Sequence, residues 1–244
     1  MSYSALLLGS IGVLAETSDM QRRAFNTAFE MNEIDWHWDQ DTYRALLEVP
    51  GGKARLNYYA KAQAVDVDIA AIYEAKLQVF EAALAGGVDL RPGIADLIAE
   101  AQTQQMKLGF VTATDPRQVA AILKGLQSAI DPSVFDFIGD RTIAARTKPA
   151  PDIYNEALRH LGVTSNAALA IEDTPESAQA AVAAGIRTLA YPGAETDSRS
   201  FVAVVELIDM PHVSLLRGAS VAAETLSATR AVGAAALTAP AACR

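Results

Sequence analysis

Five short apolar runs alternate with helix-forming stretches along this chain, and that alternation leaves few folds open. The runs are SALLL (4–8), KLGFVT (107–112), FDFIG (135–139), AALAIE (167–172) and IRTLA (186–190). Each is apolar without clean alternation, as strands covered on both faces of a parallel sheet are. Helical stretches lie between them, at roughly 93–105, 116–127, 151–161 and 175–184. Asp115-Pro116 and Thr174-Pro175 each set a capping side chain before a proline at the first helical position. Gly162 and Gly185 stop two of the helices, where a left-handed residue is needed. The pattern predicts an α/β protein with a doubly wound parallel sheet and a site at the C-terminal ends of its strands.

Residues 16–91 break the rhythm. They hold no strand pattern but four amphipathic stretches, 19–31, 40–48, 53–62 and 67–85, followed by the linker-like GGVDLRPG (86–93). This predicts an α-helical module inserted after the first strand. The expected organisation is a core of 1–15 and 92–217, a helical insert of 16–91, and an Ala-rich C-terminal helix or tail of 218–244.

A formal charge of −9 and the lack of any basic run argue against nucleic-acid or acidic-membrane partners. No uninterrupted apolar stretch is long enough to span a bilayer. A single cysteine, Cys243, excludes an internal disulfide and suits a reducing compartment, so a cytoplasmic location is expected.

Four strand ends carry distinctive residues: LGSIG (8–12), Thr112 in FVTATD, Lys148 in RTKPAPDIY after the third strand, and Glu172-Asp173 in AIEDTPESA. With KPAPDIY and IEDTPESAQAAVAAGI in this order and spacing, the sequence resembles the haloacid dehalogenase superfamily. The resemblance is to its capped subfamily I, on the side of CbbY-type sugar-phosphate phosphatases and β-phosphoglucomutases. It covers residues 4–193, including VPGGKARL (49–56), which is similar to the cap's substrate loop. It implies a Rossmann-like core with a helical cap and Mg²⁺-dependent phosphoryl transfer. By that resemblance Thr112 and Lys148 bind phosphate and Glu172 and Asp173 hold Mg²⁺, a hard cation that takes oxygen ligands. Glu16, Gly52, Lys53 and Arg55 stand where relatives contact the sugar or a second phosphate.

The chain departs from the pattern where the chemistry is densest. The family's Asp-x-Asp-Gly supplies an aspartate nucleophile and, two residues on, an acid/base. Gly9 and Ile11 stand there, while Gly12, Val13 and Leu14 continue the pattern. Alternation along an extended strand would point Ser10 away from the cleft, and none of the three histidines (His37, His160, His212) is near it in sequence. Mg²⁺ loses one carboxylate, although the backbone carbonyl at position 11 is still available. With the metal weakened, Lys148 is expected to pair with Glu172 or Asp173.

Simpler roles accompany these. Asp115 reads as an N-cap, Asp152 and Glu176 as first-turn acids, and Trp36 and Trp38 as packing in the cap. Three functions stay open: a non-catalytic relative that binds a phosphorylated metabolite or a protein, a hydrolase using an unorthodox route through Glu172 or Asp173, and a scaffold whose cleft Ile11 seals.

Overall fold

The computed structural model of the chain describes residues 3–49, 51–197, 199–202 and 205–217, so the Ala-rich stretch 218–244 lies outside the described residues. Six parallel strands form one sheet in the order β3-β2-β1-β4-β5-β6. They are β1 (Ala5–Gly9), β2 (Lys107–Val111), β3 (Phe137–Gly139), β4 (Ala168–Glu172), β5 (Arg187–Ala190) and β6 (Glu206–Leu207). The first five were expected from the apolar runs. The two-residue β6 is too short to leave a periodic signal. The third run pairs only over its last three residues, because the Asp136 carboxylate turns back to accept from the Leu108 N–H at 2.9 Å.

Alternation along β1 divides its side chains between two cores. Leu6 and Leu8 pack with Leu97 and Ile98 of α6 (Ile94–Thr103) and Val119 and Ile122 of α7 (Pro116–Gly125). On the other face, Ala5 and Leu7 meet Ile153 and Tyr154 of α8 (Asp152–Leu161) and Ala180 and Ala181 of α9 (Pro175–Ala183). The chain winds outward from β1 first through β2 and β3, then through β4 and β5. Strand order therefore reverses beside β1, which is where open α/β sheets place their ligand crevice. Asp115 and Thr174 cap α7 and α9 by accepting from Arg117 and Ser177 N–H groups, as expected.

Between β1 and β2 the chain forms the one-turn α1 (Ile11–Leu14), then α2 (Ser18–Met31), α3 (Gln40–Leu46), α4 (Gly52–Gln63) and α5 (Ile69–Leu84), before α6 returns it to the sheet. Helices α2 to α5 enclose a separate aromatic core around the fully buried Trp38, which touches Phe25 and Phe29 at ring-centroid distances of 4.8 and 5.0 Å. Asn26 fixes that loop by donating to the Trp38 carbonyl and accepting from its N–H. Trp36 lies edge-on to Phe29, so both tryptophans pack as expected.

Arg91 ties the two ends of this helical insertion to the sheet, a role its position in a linker did not reveal. Its guanidinium donates to the carbonyls of Gly12 (2.7 Å), Tyr191 (2.8 Å) and Pro192 (2.8 Å), and lies 3.5 Å over the Tyr191 ring. Its own N–H donates to Leu14 O. Arg91→Met keeps the aliphatic stem but leaves these carbonyls without their charged donor. Urea unfolding should show a loss of about 1.5–3 kcal/mol, the range for hydrogen bonds to a charged group; an unchanged midpoint would mean that the clamp contributes nothing.

Candidate active site

The site begins with a side chain that is missing. Leu8 of β1 is in register with Ile171 of β4, so Gly9 lies next to Glu172 and on the same face. The Glu172 side chain leans into the room Gly9 leaves, and a Cβ on residue 9 would fall inside its carboxyl group. There the carboxylate accepts from Lys148 Nζ at 2.8 Å and from the Tyr154 hydroxyl. Lys148 also donates to the Val111 carbonyl at 2.9 Å. The expected pairing of Lys148 with one of the two acids is thus with Glu172, and it is buried on both sides. Burial pushes Glu172 up to about 7, against the pull of Lys148 and with a further push from Asp173. Its Oε2 has no hydrogen-bond partner among the described residues.

Asp173 turns the other way, against the backbone of Gly12, where any Cβ would meet its Oδ2. It accepts from the Ser10 hydroxyl. This corrects the expected orientation of Ser10. The strand ends at Gly9 and the chain turns into α1, so strand alternation no longer governs residue 10, which lies on the cleft wall. Burial raises the Asp173 pKa, with the Ser10 hydrogen bond opposing. Ile11 belongs to the main hydrophobic core and also borders the cleft. Thr112 is buried, its hydroxyl hydrogen-bonded to Thr114.

These groups line one side of a cleft of about 570 Å³ between the sheet and the helices α2 to α5. Gly52, Lys53 and Arg55 reach the opposite wall. Gly52 is needed for close approach, because a Cβ there would stand 2.7 Å from the Tyr73 ring. Arg55 is already engaged, donating to the carbonyls of Leu46 (2.8 Å) and Val49 (3.3 Å). Glu16 is not on the cleft wall; it accepts from the N–H groups of Ser18 and Ala194. Asp152 and Glu176, read as first-turn acids, also pair with Arg146 and Arg199.

One cleft residue escaped the sequence reading. Lys76 is 2% exposed and donates to the side-chain carbonyls of Gln21 and Gln118, beneath the rings of Phe25 and Phe80. Its signal was its place in α5, four residues after Ile72 and four before Phe80, on the buried stripe. It forms no salt bridge among the described residues. Burial lowers its pKa to about 7, and Arg55 adds to the effect.

A family sequence model for the haloacid dehalogenase-like hydrolases matches residues 12–191. The chain belongs to that family. The match starts at Gly12, past the two departing positions. Protein CbbY of Cereibacter sphaeroides is 40% identical over 209 residues, covering 84% of this chain and 91% of the relative. CbbY of Rhodobacter capsulatus is 35% identical, with 83% and 91% covered. A crystal structure of a CbbY variant from Rhodobacter sphaeroides in complex with xylulose-(1,5)bisphosphate superposes with a TM-score of 0.79 at 39% identity, over 85% of this chain and 94% of that one. A β-phosphoglucomutase from Clostridium difficile shares the fold, with a TM-score of 0.69 at 18% identity over 85% and 91% of the two chains. This family member is therefore CbbY-like, with a Rossmann-like α/β sheet.

The Mg²⁺ implied by the family does not fit the residues present in this CbbY-like cleft. Position 9 offers no carboxylate, Glu172 is turned onto Lys148 and Tyr154, and Asp173 is engaged by Ser10. No cluster of three metal-ligating acidic, histidine or cysteine side chains occurs among the described residues.

Lys76 gives the site a pH signature. Among the described residues its contacts carry no carboxylate: Gln21 from α2, Arg55 from α4, Tyr73 on its own helix and Gln118 from α7. An ammonium whose pKa falls from 10.5 to about 7 on folding costs nothing above 10.5, where the amine is neutral in both states. Stability should therefore drop as pH falls from about 10.5 to about 7, then level off. Lys76→Met should lack this component, its stability gain over the natural protein growing across that window in urea titrations. A constant difference from pH 7 to 10 would show that Lys76 stays charged.

Proposed function

We propose that this chain is a CbbY-type family member that binds a phosphorylated sugar in its cleft without hydrolysing it through an aspartyl phosphate. The observation that carries this is the Glu172 carboxylate seated over Gly9, with Lys148 and Tyr154 bonded to it. No carboxylate stands at position 9 to attack phosphorus, and the lysine that would neutralise the transferring phosphoryl group already has a partner. Loss of a covalent nucleophile from a coupled catalytic unit costs on the order of a millionfold in rate. Cleft size and polar lining suit a small phosphorylated metabolite, with Thr112 and Lys148 on the sheet side and Gly52, Lys53 and Arg55 opposite. The CbbY relative bound to xylulose bisphosphate supports a phosphorylated ketose as the ligand.

In this reading 1–15 and 92–217 form the core and 16–91 its cap, acting in the cytoplasm without nucleic-acid or membrane partners. No helix among the described residues is long and apolar enough to cross a membrane.

One observation favours a second reading. The Ser10 hydroxyl donates to the buried Asp173 carboxylate at the cleft wall, an arrangement in which Asp173 could take a proton from Ser10 or from water.

Phosphate release and thermal stability, measured with xylulose 1,5-bisphosphate and Mg²⁺, separate the two. The binding reading predicts release at the uncatalysed rate, unchanged by EDTA, and a stabilisation of about 2.7 kcal/mol at one hundred times the dissociation constant. Turnover that Ser10→Ala or Asp173→Asn abolishes would overturn it in favour of the hydrolase.

A further inference from the structure

Two lysine side chains are buried at this cleft, and their surroundings differ in kind. Lys148 lies on the Glu172 carboxylate. Among the described residues Lys76 meets the amide oxygens of Gln21 and Gln118 and three aromatic rings, those of Phe25, Tyr73 and Phe80, at 4.6–6.0 Å, with Arg55 the charged group acting on it. Nothing in the phosphate-binding or proton-transfer chemistry described above uses it, although it borders the cavity.

We propose that Lys76 is a carbonyl-capturing amine, whose Nζ condenses with the ketone or aldehyde of a phosphorylated ligand in the cleft to form an imine. The lone pair of the neutral amine attacks the carbonyl carbon, and the C=O π pair moves to oxygen. A proton passes from nitrogen to that oxygen to give a carbinolamine. Loss of water, which carries away the carbonyl oxygen and the remaining two N–H and O–H hydrogens, leaves the C=N bond. No oxidant or reductant is needed. The inference rests on the reading of the ligand as a phosphorylated ketose, whose C2 carbonyl supplies the electrophile.

The physical case has three parts. An amine packed among aromatic rings loses the hydration that keeps most lysines protonated, and among the described residues it has no carboxylate to replace it. Desolvation in an apolar pocket is one of the established ways to activate a lysine toward carbonyls. Burial lowers the Lys76 pKa to about 7, so a large share of the amine is neutral near neutrality. The two glutamine oxygens hold Nζ at the junction of α2, α5 and α7, where the insertion meets the sheet layer. Gln118 is itself fixed by donating to the Tyr73 hydroxyl at 2.8 Å.

The test is borohydride trapping on the full chain at pH 7.5, with peptide mapping by mass spectrometry and a parallel thermal-shift measurement of binding. The probes are D-xylulose 5-phosphate and, as a less demanding electrophile, glycolaldehyde phosphate. The chain has six lysines, and the exposed Lys61 is the internal reference. Reduced adduct should form at Lys76 at least about tenfold faster than at Lys61. Lys76→Arg, which keeps the charge but cannot form the imine, should lose only that adduct. A thermal shift with the ketose but no adduct at Lys76 from either probe would overturn the imine and leave the ligand reading standing. No thermal shift with the ketose, yet preferential glycolaldehyde phosphate adduct at Lys76, would uphold the reactive amine and overturn the ketose as its ligand. Labelling of Lys76 no faster than Lys61 by the aldehyde probe overturns the proposal whether or not either Lys76 variant folds.

Discussion

Glu172 reaches from the end of β4 into the space above Gly9, and the arrangement of the cleft follows from that contact. Neighbouring parallel strands put residues 9 and 172 side by side on one face. Any side chain at 9 would hold Glu172 away. Without one, the glutamate settles between Lys148 and Tyr154, and the Lys148 ammonium is paired within the protein. A buried pair of this kind persists because breaking it would strand a charge away from water. Asp173, turned toward Ser10, is one of the acids at the cleft wall. The family's fold is thus kept, with a buried Lys148–Glu172 pair beside Gly9.

The wall opposite is held by a different kind of interaction. The aromatic core around Trp38 orders α2 to α5, and cross-contacts fasten those helices to the sheet layer. Arg117 of α7 pairs with Glu74 and Glu81 of α5, while Glu195 accepts from Gln40 and Arg44 of α3. Arg91 fixes the strand exits at the base. Gln118 then links Tyr73, Lys76 and the α7 helix through polar contacts inside the cleft. The cleft therefore combines a Lys148–Glu172 pair on the sheet side with the buried Lys76 amine on the side of the helical insertion.

Much of this was legible in the sequence because it rests on local rules. Apolar runs, proline-marked helix starts and the glycine stops are read within a few residues, and they located five strands and the principal helices of both layers. Gly9 and Ile11 could be named as departures because the flanking Gly12 and Glu16 hold the motif in register. What was not legible depends on where the chain bends or meets itself. Ser10 faces the cleft because β1 ends at Gly9 and the chain turns into α1, where strand alternation no longer applies. Arg91 acts on carbonyls 79 to 101 residues away. Arg55 reads as a substrate-loop contact until its bonds to the Leu46 and Val49 carbonyls are seen. Lys76 drew no reading from the sequence, because its position on the apolar stripe gains meaning only with Phe25 and Phe80 around it.

The seating of Glu172 over Gly9 is tested most directly by a double-mutant cycle of Gly9→Ala and Glu172→Ala, read as unfolding free energies in urea. Gly9→Ala alone should destabilise by about 1–3 kcal/mol, the usual cost of overpacking a filled space. In the Glu172→Ala background most of that cost should vanish, giving a coupling well above the roughly 0.5 kcal/mol within which independent sites add. Additive effects would contradict the account, because they would mean that Glu172 does not occupy the position the missing side chain left.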